Sequence, residues 1–403
     1  MSEHPHAPSP RRRALLRLLF LATFASAWLA ACGGASATSR VSVGAGADVS
    51  PTTTTAGDGG ASPSPSPPKL SVTQLAGARV IYSYAGLQAP ASLLAQIRAG
   101  EVGGVIFFGS NISSLSQIHG VIAKLQTAAK ASPARLPLLL MTDQEGGEVR
   151  RLPGAPALSE KQIGEQRDAT AAAAQAGTGA GHLLASVGMN VNLAPVLDVY
   201  RTAGDFDDQF QRSYSSDPAT VARLGSSFVE AQQRTGVAAT VKHFPGLGAA
   251  TASQNTDVRP VTLNVPLSQL RSIDELPFRS AIAAGTKLVM TSWAVYPALD
   301  RARPAGLSSK VIEGELRGRL GFDGVTITDS IDAGALSGYG SLGNRAVLAA
   351  NAGADLILCS QPGSGVQGIS VVQALAHAIS TGTVSRSATQ ASVARILALR
   401  ADP

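Results

Sequence analysis

The 403-residue chain is poor in the residues that build metal centres and disulfide scaffolds. It has two cysteines, Cys32 and Cys359, and six histidines, and aromatic residues make up only 4%. Two cysteines cannot frame a disulfide-stapled fold. No two histidines sit at ligand spacing and no phosphate loop appears, so no metal and no organic cofactor is expected. Charged residues are also few, at 15%, with a formal net charge of +6. The only cluster of basic residues lies near the N-terminus, so nucleic acid is not implied as a partner. No apolar run approaches the ~20 residues that a membrane span needs. No Gly-x-Gly-x-x-Gly follows the first strand-like run, which argues against a dinucleotide fold.

The N-terminal segment reads as a targeting device. Arg11, Arg12, Arg13 and Arg17 form a charged region ahead of the short apolar stretch Leu18–Leu29. Leu29-Ala30-Ala31-Cys32 then looks like a lipobox, in which Cys32 is acylated and becomes the mature N-terminus. An uncleaved membrane helix is the alternative, and the shortness of the apolar run disfavours it. Export is expected, by a general or a twin-arginine route, with lipid on Cys32 holding the protein at the outer face of the membrane. Residues 1–31 hold four Arg and one Glu, so their removal lowers the net charge from +6 to +3. Gly33 to Lys69 is Ser, Thr, Pro, Gly and Ala with almost no large apolar residue, and is expected to be a disordered spacer. Leu70 to Pro403 has no second linker and is expected to be one domain and a monomer. Cys359, in the apolar run Leu356–Cys359, is expected to be a buried thiol.

Eight short apolar runs alternate with helix-like stretches across that domain. They are Arg79–Tyr84, Gly104–Phe108, Leu138–Thr142, Met189–Leu193, Ala238–Val241, Leu288–Thr291, Val325–Thr328 and Asp355–Cys359. Such runs suit strands buried on both faces. Helix signals lie between them. Asp217-Pro218 is a cap with Pro at the first helical position, and Gly236 closes that helix. Ser308 opens another that ends near Gly321, while Ala169–Val187 and Ser268–Ala284 are long and rich in Ala and Leu. Strict β-α alternation predicts an α/β fold with a parallel sheet, and eight units favour a closed (β/α)8 TIM-type barrel over an open doubly wound sheet.

The run ends carry the polar residues. Asp143-Gln144-Glu145-Gly146-Gly147 follows the third, Asn192 and Pro195–Asp198 the fourth, Lys242-His243 the fifth, Ser292-Trp293 the sixth and Asp329-Ser330 the seventh. In a parallel barrel these ends converge on one pocket. Singly, each has a plain structural role; Asp198 could equally cap a helix, and Asp143 could pair with Lys242 or Arg212 in a salt bridge.

Several segments together resemble glycoside hydrolase family 3, in the single-domain branch that removes β-linked N-acetylglucosamine. They are Thr142–Gly147 (TDQEGG), Leu193–Asp198 (LAPVLD), Arg212–Pro218 (RSYSSDP), Lys242–Gly248 (KHFPGLG), Met290–Asp300 and Val325–Ser330 (VTITDS), in the family's order. The resemblance implies a retaining mechanism: a carboxylate forms a glycosyl-enzyme ester while a second group protonates the leaving oxygen. By position, Asp329 is the nucleophile, and Asp143, Arg212, Lys242 and His243 bind the hydroxyls of the terminal sugar. The carbohydrate expected is an N-acetylglucosamine-containing glycan, in muropeptides or cell wall. The chain departs from the family's pattern at three places. Leu247 and Trp293 stand where the family often has His. Ser253-Gln254-Asn255 occupies the place of the Asp-x-His pair that supplies the acid/base. None of those three side chains can protonate a departing alkoxide, which leaves Asp257 as the acid/base candidate on that loop, with Glu145 a second candidate that the family match makes structural. Two rival readings follow. One is a sugar-binding lipoprotein without catalysis. The other is a family enzyme acting on another β-glycoside, or transferring to phosphate.

Overall fold

A computed structural model describes residues 70–360 and 366–403; Cys32 and the expected leader and spacer lie outside the described residues. Eight parallel strands close into a barrel in sequence order: β1 Val80–Tyr82, β2 Gly104–Ile106, β3 Leu139–Thr142, β4 Val191–Asn192, β5 Ala238–Phe244, β6 Leu288–Thr291, β7 Val325–Ser330 and β8 Leu356–Leu358. β8 returns to pair with β1, Val80 lying opposite Ile357. Each strand falls within an expected apolar run or overruns it by two or three residues at its C-terminal end. The expected (β/α)8 barrel is the observed architecture.

Side chains alternate along a strand, and here the alternation divides the core in two. Ile81, Leu139, Met141, Val191, Ala238, Leu288, Met290, Val325, Ile327, Leu356 and Leu358 fill the barrel interior. Their neighbours Val80, Val105, Leu140, Val241, Val289 and Ile357 face outward against the helices. Burial on both faces is why these strands read as unbroken apolar runs rather than alternating ones.

The helices follow their local signals. Asp217 caps Pro218–Gln233 by accepting from the backbone N–H of Ala219 and Thr220, and Gly236 leaves it in the left-handed region at φ 80°. Ala169–Val187 packs along that helix. Gly177 lets them meet, since a Cβ there would lie 2.3 Å from the Phe228 carbonyl oxygen. Two expected helices differ in detail. Lys310–Arg319 is wound as a π-helix, and a π-turn at Leu270–Asp274 divides the segment expected as one helix over 268–284 into Leu267–Gln269 and Glu275–Ala283. At the opposite end of the barrel from the polar strand ends, buried Asp355 accepts from Arg317, Arg395 and Ser392, tying the last helix, Arg386–Ala401, to the start of β8. Cys359 is a buried free thiol, as expected. No helix among the described residues is long and apolar enough to cross a membrane.

Candidate active site

The interior alternation predicts what lies above the barrel. Following the inward-facing positions to the C-terminal ends of the strands gives Lys242 within β5, Asp329 within β7 and Asp143 one residue past β3. All three line one cavity of about 350 Å³ at the C-terminal mouth. Its floor is Ile106, Leu193, Met290 and Leu358, one residue from each even-numbered strand or its end. The charged residues thus come from odd strands and the apolar floor from even ones, the layering that alternate strands impose in such barrels. Arg212, His243 and Asp257 line the same cavity, so every sequence-predicted site residue of the domain is brought together.

One wall is an ionic lattice. Lys242 Nζ donates to Asp143 Oδ1 at 2.8 Å and pairs with Glu145 Oε1 at 2.7 Å. Glu145 in turn receives both Nε and Nη2 of Arg212, at 2.8 and 2.9 Å, while Arg212 Nη1 reaches Asp207 Oδ1 at 2.9 Å. Burial works against the charge on Glu145, but Arg212 and Lys242 outweigh it and bring the carboxyl to about 2. Burial likewise opposes the Lys242 charge, and Asp143 and Glu145 reverse it, holding the ammonium above its ordinary value. These side chains hold one another in place, so a bound hydroxyl meets oriented donors and acceptors. Behind them, burial and then the charge of Glu145 push Glu160 well above the usual carboxylate range, and its Oε1 accepts from the Val196 N–H.

His243 is the next wall. Its Nδ1 lies 2.7 Å from Asp198 Oδ2, and Asp198 also accepts from the backbone N–H groups of His243 and Leu247. Burial opposes protonation of the ring, and the Asp198 carboxylate overcomes it, raising the imidazole above its ordinary value. Asp198 therefore orients His243 and caps no helix. Leu247, where the resemblance expects His, contributes an apolar side chain to the cavity and its N–H to Asp198. Among the described residues, Asp198, Asp207 and His243 form a group whose potential ligand atoms lie within 4.8 Å of one another. The hydrogen bonds just described already occupy Asp198 and His243 Nδ1, and Arg212 holds Asp207 Oδ1; Asp207 Oδ2 is the oxygen left without a partner. Burial, offset in part by Arg212, pushes Asp207 up to about 7.

Across the cavity, Asp329 is half-buried at the end of β7, its Oδ1 accepting from the Ser330 N–H at 2.6 Å. No Lys or Arg pairs with it among the described residues. Trp293, at the second position where His is expected, is buried and donates Nε1–H to the Ser330 carbonyl at 2.7 Å, so it braces the strand end that carries Asp329. Asp257 sits at the rim on a turn closed by its own N–H bonding Asn255 Oδ1 at 2.8 Å. The residue is exposed at its outer edge, yet it lines the cavity; partial burial and then the negative charge of Asp329 raise its carboxyl above the ordinary value. Arg151 also lines the cavity and has no carboxylate partner among the described residues, and its Nε is buried without an acceptor.

Glu145 is more than the loop residue expected of it, since it is the hub that joins Lys242 to Arg212. The signal was available: Asp143 and Glu145 are two apart in extended chain and share a face. Asp207 carried no such signal, lying in the short helix Phe206–Gln209 at a position only the fold brings to Arg212.

Residues 71–399 match the glycosyl hydrolase family 3 N-terminal domain. An uncharacterized secreted glycosyl hydrolase of Arthroderma benhamiae is 47% identical over 327 residues, covering 81% of this chain and 92% of that protein. A beta-hexosaminidase of Xanthomonas oryzae pv. oryzae is 37% identical over 279 residues, covering 68% and 80%. Among solved structures, a glycoside hydrolase family 3 beta-N-acetylglucosaminidase from Paenibacillus sp. str. FPU-7 superposes with a TM-score of 0.77 at 38% identity, covering 82% of this chain. The matched region spans 62% of that protein's length. With a barrel of this kind, a pocket at its C-terminal mouth and a family match over four-fifths of its length, the chain belongs to glycosyl hydrolase family 3.

Proposed function

We propose that this hydrolase removes terminal β-linked N-acetylglucosamine with retention of configuration, using Asp329 as nucleophile and Asp257 as acid/base. The observation that carries the reading is the asymmetry of the cavity. One side is the hydrogen-bonded ionic lattice of Asp143, Glu145, Arg212 and Lys242, with His243 beside it, suited to the hydroxyls of one sugar ring. The other side offers two carboxyls, Asp329 and Asp257, that form no salt bridge with a Lys or Arg among the described residues. In the first step an Asp329 oxygen attacks the anomeric carbon, the bond from that carbon to the leaving oxygen breaks, and Asp257 gives its proton to that oxygen. In the second, water gives a proton to Asp257 and attacks the same carbon, which releases Asp329 as carboxylate. A raised carboxyl suits the first half of that cycle, because the acid must hold its proton at the working pH. The name of the Paenibacillus relative supports N-acetylglucosamine as the glycone, and the Xanthomonas name supports a hexosaminide. The unpaired Arg151 supports a leaving sugar that bears an acid group, as in muropeptides or wall glycan. The secreted relative supports export, and with the lipobox-like run ending at Cys32 we propose a lipid anchor at the outer face of the membrane.

The test is a rate series on the soluble domain, residues 70–403. A nitrophenyl N-acetylglucosaminide and a natural N-acetylglucosamine disaccharide are compared for the parent, Asp329→Asn and Asp257→Asn. Asp329→Asn is expected to lose both activities by at least about 10³-fold. Asp257→Asn is expected to lose the disaccharide by about 10²–10⁴-fold and to keep most of the nitrophenyl activity, which needs little protonation. A parent that binds N-acetylglucosamine and cleaves neither substrate would contradict the proposal and leave a sugar-binding protein.

A further inference from the structure

Two adjacent backbone hydrogen bonds fasten the turn that carries Asp257 to the segment that follows Asp329. Gly334 donates its N–H to the Asp257 carbonyl at 2.7 Å, and Ala335 donates to the Thr256 carbonyl at 3.0 Å. The turn is internally braced: Val258 and Arg259 both donate to the Asn255 carbonyl, and the Asp257 N–H bonds the Asn255 side chain. It therefore docks as a unit. Thr256 is buried, while Val258, next to Asp257, is 70% exposed.

The contact is so close that it needs a glycine on the β7 side. A Cβ at Gly334 would lie 2.1 Å from the Val258 carbonyl oxygen, 2.4 Å from its carbon and 3.0 Å from the Asp257 carbonyl oxygen. All three are backbone atoms, which cannot swing away as a side-chain end does. Gly334 is not in the left-handed region, so its backbone conformation would accept alanine. What calls for glycine at this position is the approach of the other loop.

We infer that Gly334 is a positioning residue: its bare Cα is the catch that seats the Asp257 loop over the cavity, so the nucleophile's own strand sets where the acid stands. This rests on Asp257 being the acid. The catch couples the two carboxyls through about five residues of β7 loop and two hydrogen bonds. A displacement of the turn moves Asp257 away from the leaving oxygen while Asp329, Lys242 and Arg212 stay in place. Misplacing a reacting group by about 1 Å costs on the order of 10²-fold.

The experiment compares Gly334→Ala with Gly338→Ala. Gly338 lies in the same short 3-10 segment, and a Cβ there meets nothing within 4 Å. For each variant kcat/KM is measured against a series of aryl N-acetylglucosaminides of rising leaving-group pKa and against the natural disaccharide, with Asp257→Asn alongside. Gly334→Ala is expected to lose about 10²-fold on the disaccharide and less than about threefold on the most activated aryl glycoside, steepening the leaving-group dependence toward that of Asp257→Asn. Gly338→Ala is expected to match the parent. A general folding defect would depress all substrates equally and would overturn the inference, as would parental behaviour of Gly334→Ala. If Asp257→Asn itself has parental leaving-group dependence, the acid assignment fails, and the Gly334 result then speaks only to loop seating. Thermal melting of each variant separates loss of fold from loss of the catch.

Discussion

Asp257 stands beside a negative charge and is partly shut off from water, and both push its carboxyl to hold a proton longer. The sign of the resulting pH dependence follows. With Asp257 as the proposed acid, cleavage of the disaccharide would need its protonated form, so kcat/KM is expected to fall as pH rises through the raised value. That alkaline limb is expected to weaken with activated aryl glycosides and to vanish in Asp257→Asn. A pH–rate profile on both substrates checks this, and an unchanged alkaline limb in Asp257→Asn would assign it to another group. The lattice residues behave oppositely. Glu145, held at about 2, keeps its charge across the working range and so adds no limb of its own. Asp143, Arg212, Lys242 and His243 were legible as site residues because each ends a strand or matches a motif. Glu145 was half legible, through its spacing from Asp143. Asp207 and the pairing of Asp198 with His243 depend on contacts 5 and 45 residues apart in sequence that no local pattern encodes.

The elements were the most legible level. Eight apolar runs became eight strands because burial on both faces demands the same residue types wherever it occurs. The helix Pro218–Gln233 was fixed at both ends by local chemistry, Asp217 at its cap and Gly236 beyond its close. Asp217→Ala is therefore expected to cost about 1 kcal/mol by removing the acceptor of the Ala219 and Thr220 N–H groups, with sugar cleavage unchanged. Urea unfolding beside the rate assay measures both, and a loss of activity without loss of stability would contradict a purely capping role. The π-turn at Leu270–Asp274 was not legible. Asp274 within it is buried and bonds Arg201 at 2.6 Å, a tertiary partner 73 residues away. Sequence periodicity has no means to register an extra residue in a helical turn when the reason lies on another element.

At the scale of the whole molecule, a closed barrel of glycosyl hydrolase family 3, by its inward alternation, sends the end residues of three odd strands into one cavity. The chain departs from the family's acid/base pattern: Ser253-Gln254-Asn255 stands in place of the Asp-x-His pair, Asp257 follows two residues later, and two backbone N–H groups of the segment after β7 hold its turn. All of that presupposes a covalent sugar on Asp329. The direct measurement is mass spectrometry of the domain after incubation with a fluorinated N-acetylglucosaminyl donor, whose slow second step allows the ester to accumulate. The account predicts a mass gain of one sugar, located after digestion on the peptide containing Asp329 and absent in Asp329→Asn. An adduct on another residue, or turnover without any adduct and with inverted product configuration, would contradict it.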